Sequence, residues 1–306
     1  MSTVLDQQRI EFGQKLVEHG WLIPTLARGV NGLGGAAEAV VTGLQTLSSR
    51  IAGEQDYPAL NTLRFPPVNS QELLSRTDYV ASFPQLLGLI STFSGDSKAH
   101  GSLLAAAATG EPWEEQLDPS GFALIPAVCH PLYAHLEGST VRGECYQLTG
   151  DCFRNEPSDD PFRMVAFRMR EYVVLGTEEQ ARGHRDLWLR LSQELLESLG
   201  LQITVESAND PFFGRAGRLL ASGQREAKLK FEVLTEVFPG HPTAIASGNW
   251  HQSHFGENFS ITAEDGSVAH SGCFGFGLER IMLALVARHG VEVSAWPSAV
   301  RTALDL

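Results

Sequence analysis

From about residue 120 onward the chain reads as a succession of strands that do not alternate with helices. FALIPAVCH (122–130), ECYQLTGDCFRNE (144–156), RMVAFRMREYVVLG (163–176), LQITVES (201–207), AKLKFEVLTEVF (227–238) and NFSITAEDGSVAHS (258–271) carry the β-branched and aromatic texture of strands. Two helical patterns interrupt them. TEEQARGHRDLWLRLSQELLESLG (177–200) opens on Thr177 with Glu178 and Glu179 in its first turn, and closes at Gly200. GLERIMLALVARHG (277–290) is apolar at helical spacing and ends at Gly290. Many strands with few helices and no βαβ repeat predict an antiparallel sheet with helices packed on it, an α+β fold.

The first 60 residues have a different character. Segments 5–20 and 36–52 show helical apolar spacing, and GVNGLGG (29–35) between them reads as a breaker. Pro66 and Pro67 keep 58–70 extended, and Asn69 or Ser70 caps a helix after it. We place a boundary near residue 60, with a helical appendage at 1–60 and the main domain at 61–306.

The chain has 306 residues, enough for a sizeable core. It has 36 acidic against 23 basic residues, a net charge of −13, and no Lys/Arg-rich run. A basic face large enough for a nucleic acid is hard to assemble from this balance. No apolar run approaches the roughly 18 residues of a membrane span, and the N-terminus has no apolar signal region. The cysteines are Cys129, Cys145, Cys152 and Cys273, without a CxxC pair, so a disulfide framework is not expected. These features predict a cytoplasmic protein.

Two segments carry chemistry. In Phe153-Arg154-Asn155-Glu156, Arg154 and Glu156 share a face at the end of a strand. A loop follows, and the chain returns through Arg163, Phe167 and Glu171. This hairpin gathers two arginines, two glutamates and a phenylalanine, and arginine binds phosphate bidentately. A salt-bridged surface hairpin explains the same residues on spacing alone. In Gly275-Phe276-Gly277-Leu278-Glu279-Arg280, a strand runs into a helix with Arg280 in the first turn, where the helix dipole disfavours a cation. Taken by itself this is an ordinary strand–helix junction.

Together, F-R-x-E, then R-x-x-x-F-x-x-x-E, then G-x-G-x-x-R about 100 residues later resemble motifs 2 and 3 of class II aminoacyl-tRNA synthetases. The resemblance implies their fold, an antiparallel sheet flanked by helices that holds bent ATP. It implies that Arg154 meets the α-phosphate and that Phe167 and Arg280 sandwich adenine. Glu156 would recognise the adenine amino group or the substrate edge, Arg163 would reach the outer phosphates, and Met164 would belong to the ATP-binding set. Lys230 and Glu232 would supply an ATP or Mg2+ contact, although a solvated strand face accounts for them equally.

Read singly, Cys129 and Cys273 are buried core cysteines. Within the superfamily fold, Cys129, Glu171 and Cys273 would meet in one pocket as a three-ligand zinc site with an open position. That set resembles the atypical zinc-dependent seryl-tRNA synthetases, and the chain resembles most closely, over roughly 60–300, a family related to their catalytic core: the amino acid:[carrier protein] ligases. The resemblance implies ATP-dependent activation of glycine or alanine and transfer to the phosphopantetheine thiol of a carrier protein. It also implies a homodimer, for which 75–93 is a candidate motif 1. Ala244, Ile245, Ala246, Ser247 and Asn249 would line the amino-acid pocket together with Glu156 and Glu171. Arg215 and Arg218 fall where these ligases carry a carrier-binding helix. The length and charge argue against tRNA as a partner. A seryl-type enzyme lacking its own tRNA-binding domain, a catalytically silent paralogue and a zinc-stabilised binding module are the rival readings. His130, His251 and His254, near these segments, and Cys145 and Cys152 read as structural.

Overall fold

A computed structural model describes residues 4–214, 222–225 and 227–306. Arg215 and Arg218, the expected carrier-binding pair, lie outside the described residues.

The strands are β1 (Leu22–Pro24), β2 (Asn31–Leu33), β3 (Leu60–Leu63), β4 (Val68–Ser70), β5 (Leu89–Thr92), β6 (Asp118–Leu124), β7 (Thr140–Val141), β8 (Cys145–Phe153), β9 (Ala166–Gly176), β10 (Ile203–Ala208), β11 (Lys230–Phe238), β12 (His241–Trp250), β13 (Thr262–Ala263) and β14 (His270–Gly277). The helices are α1 (Val4–Glu18), α2 (Gly35–Gly53), α3 (Gln71–Arg76), α4 (Tyr79–Ser82), α5 (Ser97–Thr109), α6 (His130–His135), α7 (Glu178–Ser198), α8 (His254–Asn258), α9 (Leu278–His289) and α10 (Ser298–Leu304).

Seven strands form the central sheet in the order β10-β11-β12-β14-β9-β8-β3. Every neighbouring pair is antiparallel except β3 with β8. The antiparallel α+β expectation is met, with one parallel edge.

One face of the sheet packs on α7. Thr177 and Gln180 form a reciprocal capping box at its start, with Thr177 N donating to Gln180 Oε1 at 2.8 Å. Trp188 of α7 stacks on Tyr172 of β9, with ring centroids 3.8 Å apart. Gly272 makes this approach feasible, because a Cβ there would lie 2.1 Å from the Ala181 carbonyl oxygen. The other face of the same strands is left to build a cavity.

The N-terminal residues share this core. Leu16, Trp21, Val40, Val41 and Leu44 are buried in one cluster with Trp188, Phe274 and the apolar face of α9. Four details depart from the sequence reading. Of the segment 122–130, read as a strand, only 122–124 lies in β6, and α6 begins at His130. Segment 29–35 is not merely a breaker, since Asn31–Leu33 pairs with Leu22–Pro24. Segment 258–271 is not a continuous strand: α8 ends in it, β13 is two residues long, and Gly266 turns the chain at φ +83°. Phe255, Phe259, Ile261 and Ala269 anchor this wrap to a second buried cluster at irregular spacing, which mimics a strand pattern. Ala244 to Ser247 and Asn249, read only as lining the amino-acid pocket, lie on the strand β12.

Candidate active site

The ladder registers bring the site together. Glu232, Ser247, Gly275 and Glu171 form one row across β11, β12, β14 and β9. Lys230, Asn249 and Cys273 form the adjacent row. Residues two apart on a strand share a face, so both rows project to the same side. Gly275 leaves the floor open between them, since a Cβ there would come within 2.8 Å of Met169 Cε. The cavity above has a volume of about 790 Å³, the size of a site for a nucleotide and a small ligand.

At one end, Cys129, Glu171 and Cys273 are buried with 5%, 2% and 4% of their surfaces exposed. Their ligating atoms lie within 4.8 Å of one another. Cys273 Sγ is 3.5 Å from Glu171 Oε2, and the Val128 N–H donates to Glu171 Oε1 at 3.2 Å. Burial raises the Glu171 carboxyl above its ordinary range. The Cys129 contact, burial and the Glu171 charge hold the Cys273 thiol well above its own. Three acidic groups cannot all ionise in so small a dry space unless a cation joins them. Two thiols and a carboxylate with this spacing can hold a divalent metal ion.

At the other end the charge is positive. Arg154 lies beyond the end of β8, its Nε donating to the Pro126 carbonyl at 3.2 Å and its guanidinium 5.3 Å above the Phe167 ring. Arg280 is in the first turn of α9. Its Nε donates to the Phe162 carbonyl at 2.8 Å and its Nη1 to that of Ala244 at 3.0 Å. Those two carbonyls answer the helix dipole that disfavours a cation here. Burial lowers the Arg280 pKa, and the nearby Arg154 and Arg163 charges lower it further. The guanidiniums of Arg154 and Arg280 repel each other yet are held on one cavity, an arrangement that a bound anion relieves.

Lys230 bridges the carboxylates of Asp210, at 2.6 Å, and Glu232, at 3.2 Å. Burial disfavours the Asp210 carboxylate, but the Lys230 charge and hydrogen bond outweigh it and keep its pKa low. Ala244, Ile245, Ala246, Ser247 and Asn249 all line the cavity. Consecutive residues can do so because β12 bulges at Ile245, where Val233 pairs with Ala246 and Leu234 with Ala244. Asn249 Nδ2 donates to Ser247 Oγ at 3.5 Å.

Of the residues expected to bind ATP, amino acid or metal and described here, all line the cavity except Arg163. Arg163 lies in the loop before β9, is half exposed, and pairs with Glu156 at 3.3 Å. His130, His251 and His254 also line the cavity. Burial holds His251 at a pKa of about 4, and its Nδ1 lies 3.0 Å from Ser271 Oγ. Cys145 and Cys152 are buried outside the ligand trio. Sequence reading missed Asp210, which sits in an irregular segment with no periodic signal. It also missed the role of Glu279, which accepts from Arg168 Nε at 2.7 Å while Arg168 pairs with Glu38 of α2.

A sheet of this topology carrying these arginines defines a class II aminoacyl-tRNA synthetase core, and residues 114–289 match the family model described as tRNA synthetase class II core domain (G, H, P, S and T). Its fold resembles that of the seryl-tRNA synthetase of M. kandleri, solved with A. aeolicus tRNASec, with a TM-score of 0.80 and 22% identity over 96% of this chain. This chain spans 60% of that one. Within the class, the chain belongs to the amino acid–[acyl-carrier-protein] ligase family. It is 38% identical to amino acid–[acyl-carrier-protein] ligase 1 of Bradyrhizobium diazoefficiens, over 88% of this chain and 82% of that protein. It is 37% identical to ligase 2 of the same organism, over 91% and 83%.

Proposed function

We propose that this protein uses ATP to activate a small amino acid as its adenylate and then transfers the aminoacyl group to the phosphopantetheine thiol of a carrier protein. The observation that carries this reading is the shared sheet face: a dry donor trio at one end and a convergent arginine set at the other. The amino acid would lie between them, with its carboxylate toward the arginines.

We assign ATP to the arginine end. Arg154 meets the α-phosphate, Phe167 and Arg280 flank the adenine, and Glu156 reads the base edge or the substrate. Met164 lies along the nucleotide, and Arg163, at the exposed end of the loop outside the cavity lining, would reach the outer phosphates. Mg2+ arrives with ATP, and Glu232 beside Lys230 is the acidic group on this face suited to it. The amino-acid carboxylate oxygen attacks the α-phosphorus, the bond to the bridging oxygen breaks, and pyrophosphate leaves. Arg154, together with the Mg2+ that accompanies ATP, would oppose the charge that builds on the phosphoryl oxygens, so catalysis rests on positioning and electrostatics. The carrier thiol then attacks the activated carbonyl and AMP leaves.

We assign zinc to Cys129, Glu171 and Cys273. A zinc ion there supplies a coordination position for an uncharged amine. The side chains of Ser247, Asn249 and Met169 limit what can extend from the substrate α-carbon. A pocket of this kind excludes large side chains but separates glycine from alanine by only about 1–3 kcal/mol. Glycine and alanine are therefore the proposed substrates.

We further propose a homodimer, supported by the apolar side chains Leu89 and Phe122, exposed on the three-stranded sheet β4-β6-β5, and Phe93 just beyond it. A net charge of −13 weighs against tRNA as the acceptor. No helix among the described residues is long and apolar enough to cross a membrane.

ATP–pyrophosphate exchange across the twenty amino acids, without acceptor, tests the first half-reaction. Exchange confined to glycine, alanine or another small amino acid is expected. No exchange with any of them, from metal-replete protein, contradicts the proposal and favours a silent paralogue.

A further inference from the structure

The loop 154–165 between β8 and β9 forms one wall of the cavity through Glu156, Phe162 and Met164. Its inner side is held by Arg280, which binds the Phe162 carbonyl. Its outer side is held by the N-terminal segment at four points. The Val165 N–H donates to the Gly29 carbonyl at 2.8 Å. Arg28 makes a bidentate pair with Asp159, Nε to Oδ1 at 2.9 Å and Nη2 to Oδ2 at 2.7 Å. Arg9 of α1 pairs with Asp160 at 3.2 Å, the aspartate side chain being only 9% exposed. Phe12 of α1 stacks on Phe162, with ring centroids 6.0 Å apart and planes 15° from parallel.

The backbones approach closely at Gly29. Its φ is +76°, and a Cβ there would lie 3.0 Å from Val165 Cγ2 and 3.2 Å from Ser158 N. Contacts of this kind fix the loop rather than merely touch it. The single exposed pair Arg28–Asp159 is weak in isolation. It acts with a backbone hydrogen bond, a more buried ion pair and a ring stack on the same twelve-residue loop, and rigid neighbours on both sides reduce the entropy that ordering the loop would otherwise cost.

We propose that α1 and the β1–β2 hairpin are a clamp that presets the nucleotide-binding loop before ATP arrives, with Arg9 and Arg28 as positioning residues. The assignment of ATP to this loop rests on the function proposed above. A preset loop loses less conformational freedom on binding, so the clamp contributes to ATP affinity and not to the chemistry of the bound complex. It also gives residues 4–33 a role in the site although none of their side chains lines the cavity.

The test compares the full-length protein with Arg9→Ala/Arg28→Asp, and with that variant carrying Asp159→Arg as well. Amide hydrogen exchange over 154–165 in the ligand-free protein is the first readout, and KM for ATP against KM for the amino acid in pyrophosphate exchange is the second. The clamp predicts faster amide exchange in the loop and a KM for ATP raised about three- to ten-fold, with kcat and the amino-acid KM within two-fold. The added Asp159→Arg restores part of both. Unchanged loop exchange overturns the proposal. So does a rise in both KM values together with a lowered Tm, which marks general destabilisation. If the unaltered protein shows no pyrophosphate exchange, the function reading fails, while the loop amide exchange still decides the clamp.

Discussion

The buried trio decides what the site can do at the scale of single residues. Cys129, Glu171 and Cys273 come from the start of α6, the middle of β9 and the middle of β14. Their positions in sequence show no metal spacing, because the sheet register and not a local turn brings them together. They were legible only through resemblance to a known family. Arg154 and Arg280 were easier to read, since each lies next to a strand end with a diagnostic neighbour. Asp210 was not legible: its partner Lys230 is twenty residues on, and only the fold pairs them. Cys273→Ala should lose bound metal, from about one ion per chain to near zero by elemental analysis, and should lose pyrophosphate exchange at least a hundred-fold. Cys145→Ala, outside the trio, should retain the metal. Metal retained in Cys273→Ala would remove the trio from the mechanism.

Elements meet at places where the sequence had to stay small. Gly272 lets α7 lie directly on β14, and Gly275 keeps the cavity floor free of a side chain. A glycine-containing strand, HSGCFGFG, looks weak by propensity, and its place in the sheet next to β9 is explained by these two close approaches. Gly272→Ala should destabilise the fold by about 1–3 kcal/mol, visible as a lowered denaturation midpoint, because its Cβ would meet a backbone carbonyl that cannot rotate away. A midpoint equal to that of the unaltered protein would mean that α7 sits further from the sheet. The strands β8, β9, β10 and β11 and the helices α7 and α9 were readable from periodicity and caps. The wrap at 258–271 was not, because its apolar residues follow the contour of a buried cluster rather than a strand period.

Across the whole molecule, one hydrophobic core joins the N-terminal helices to the catalytic sheet, and a hydrogen-bond chain runs through it. Trp188 Nε1 donates to Tyr57 Oη at 2.8 Å, Tyr57 Oη lies 3.0 Å from His184 Nδ1, and His184 Nε2 lies 2.9 Å from the Tyr172 carbonyl. The carbonyl can only accept, so Nε2 carries the proton and Nδ1 accepts from Tyr57. Burial holds the His184 pKa at about 4, below the ordinary 6.5. The unfolded chain therefore binds a proton that the folded one refuses. The stabilisation is complete above pH 6.5 and is lost as the pH falls toward 4, by roughly 2 kcal/mol at pH 5. His184→Gln should be less stable at pH 7 and should show a flatter dependence between pH 6.5 and 4 in denaturant titrations. An unchanged slope would show that other groups carry the acid sensitivity.

The acceptor is the centre of this account, and intact-mass measurement tests it directly. The purified protein would be incubated with ATP, Mg2+, glycine or alanine, and either a phosphopantetheinylated carrier protein or total tRNA. The account predicts that the carrier protein gains the mass of one aminoacyl group, that hydroxylamine at neutral pH removes it as expected for a thioester, and that tRNA remains uncharged. Charged tRNA with an unmodified carrier protein would contradict it.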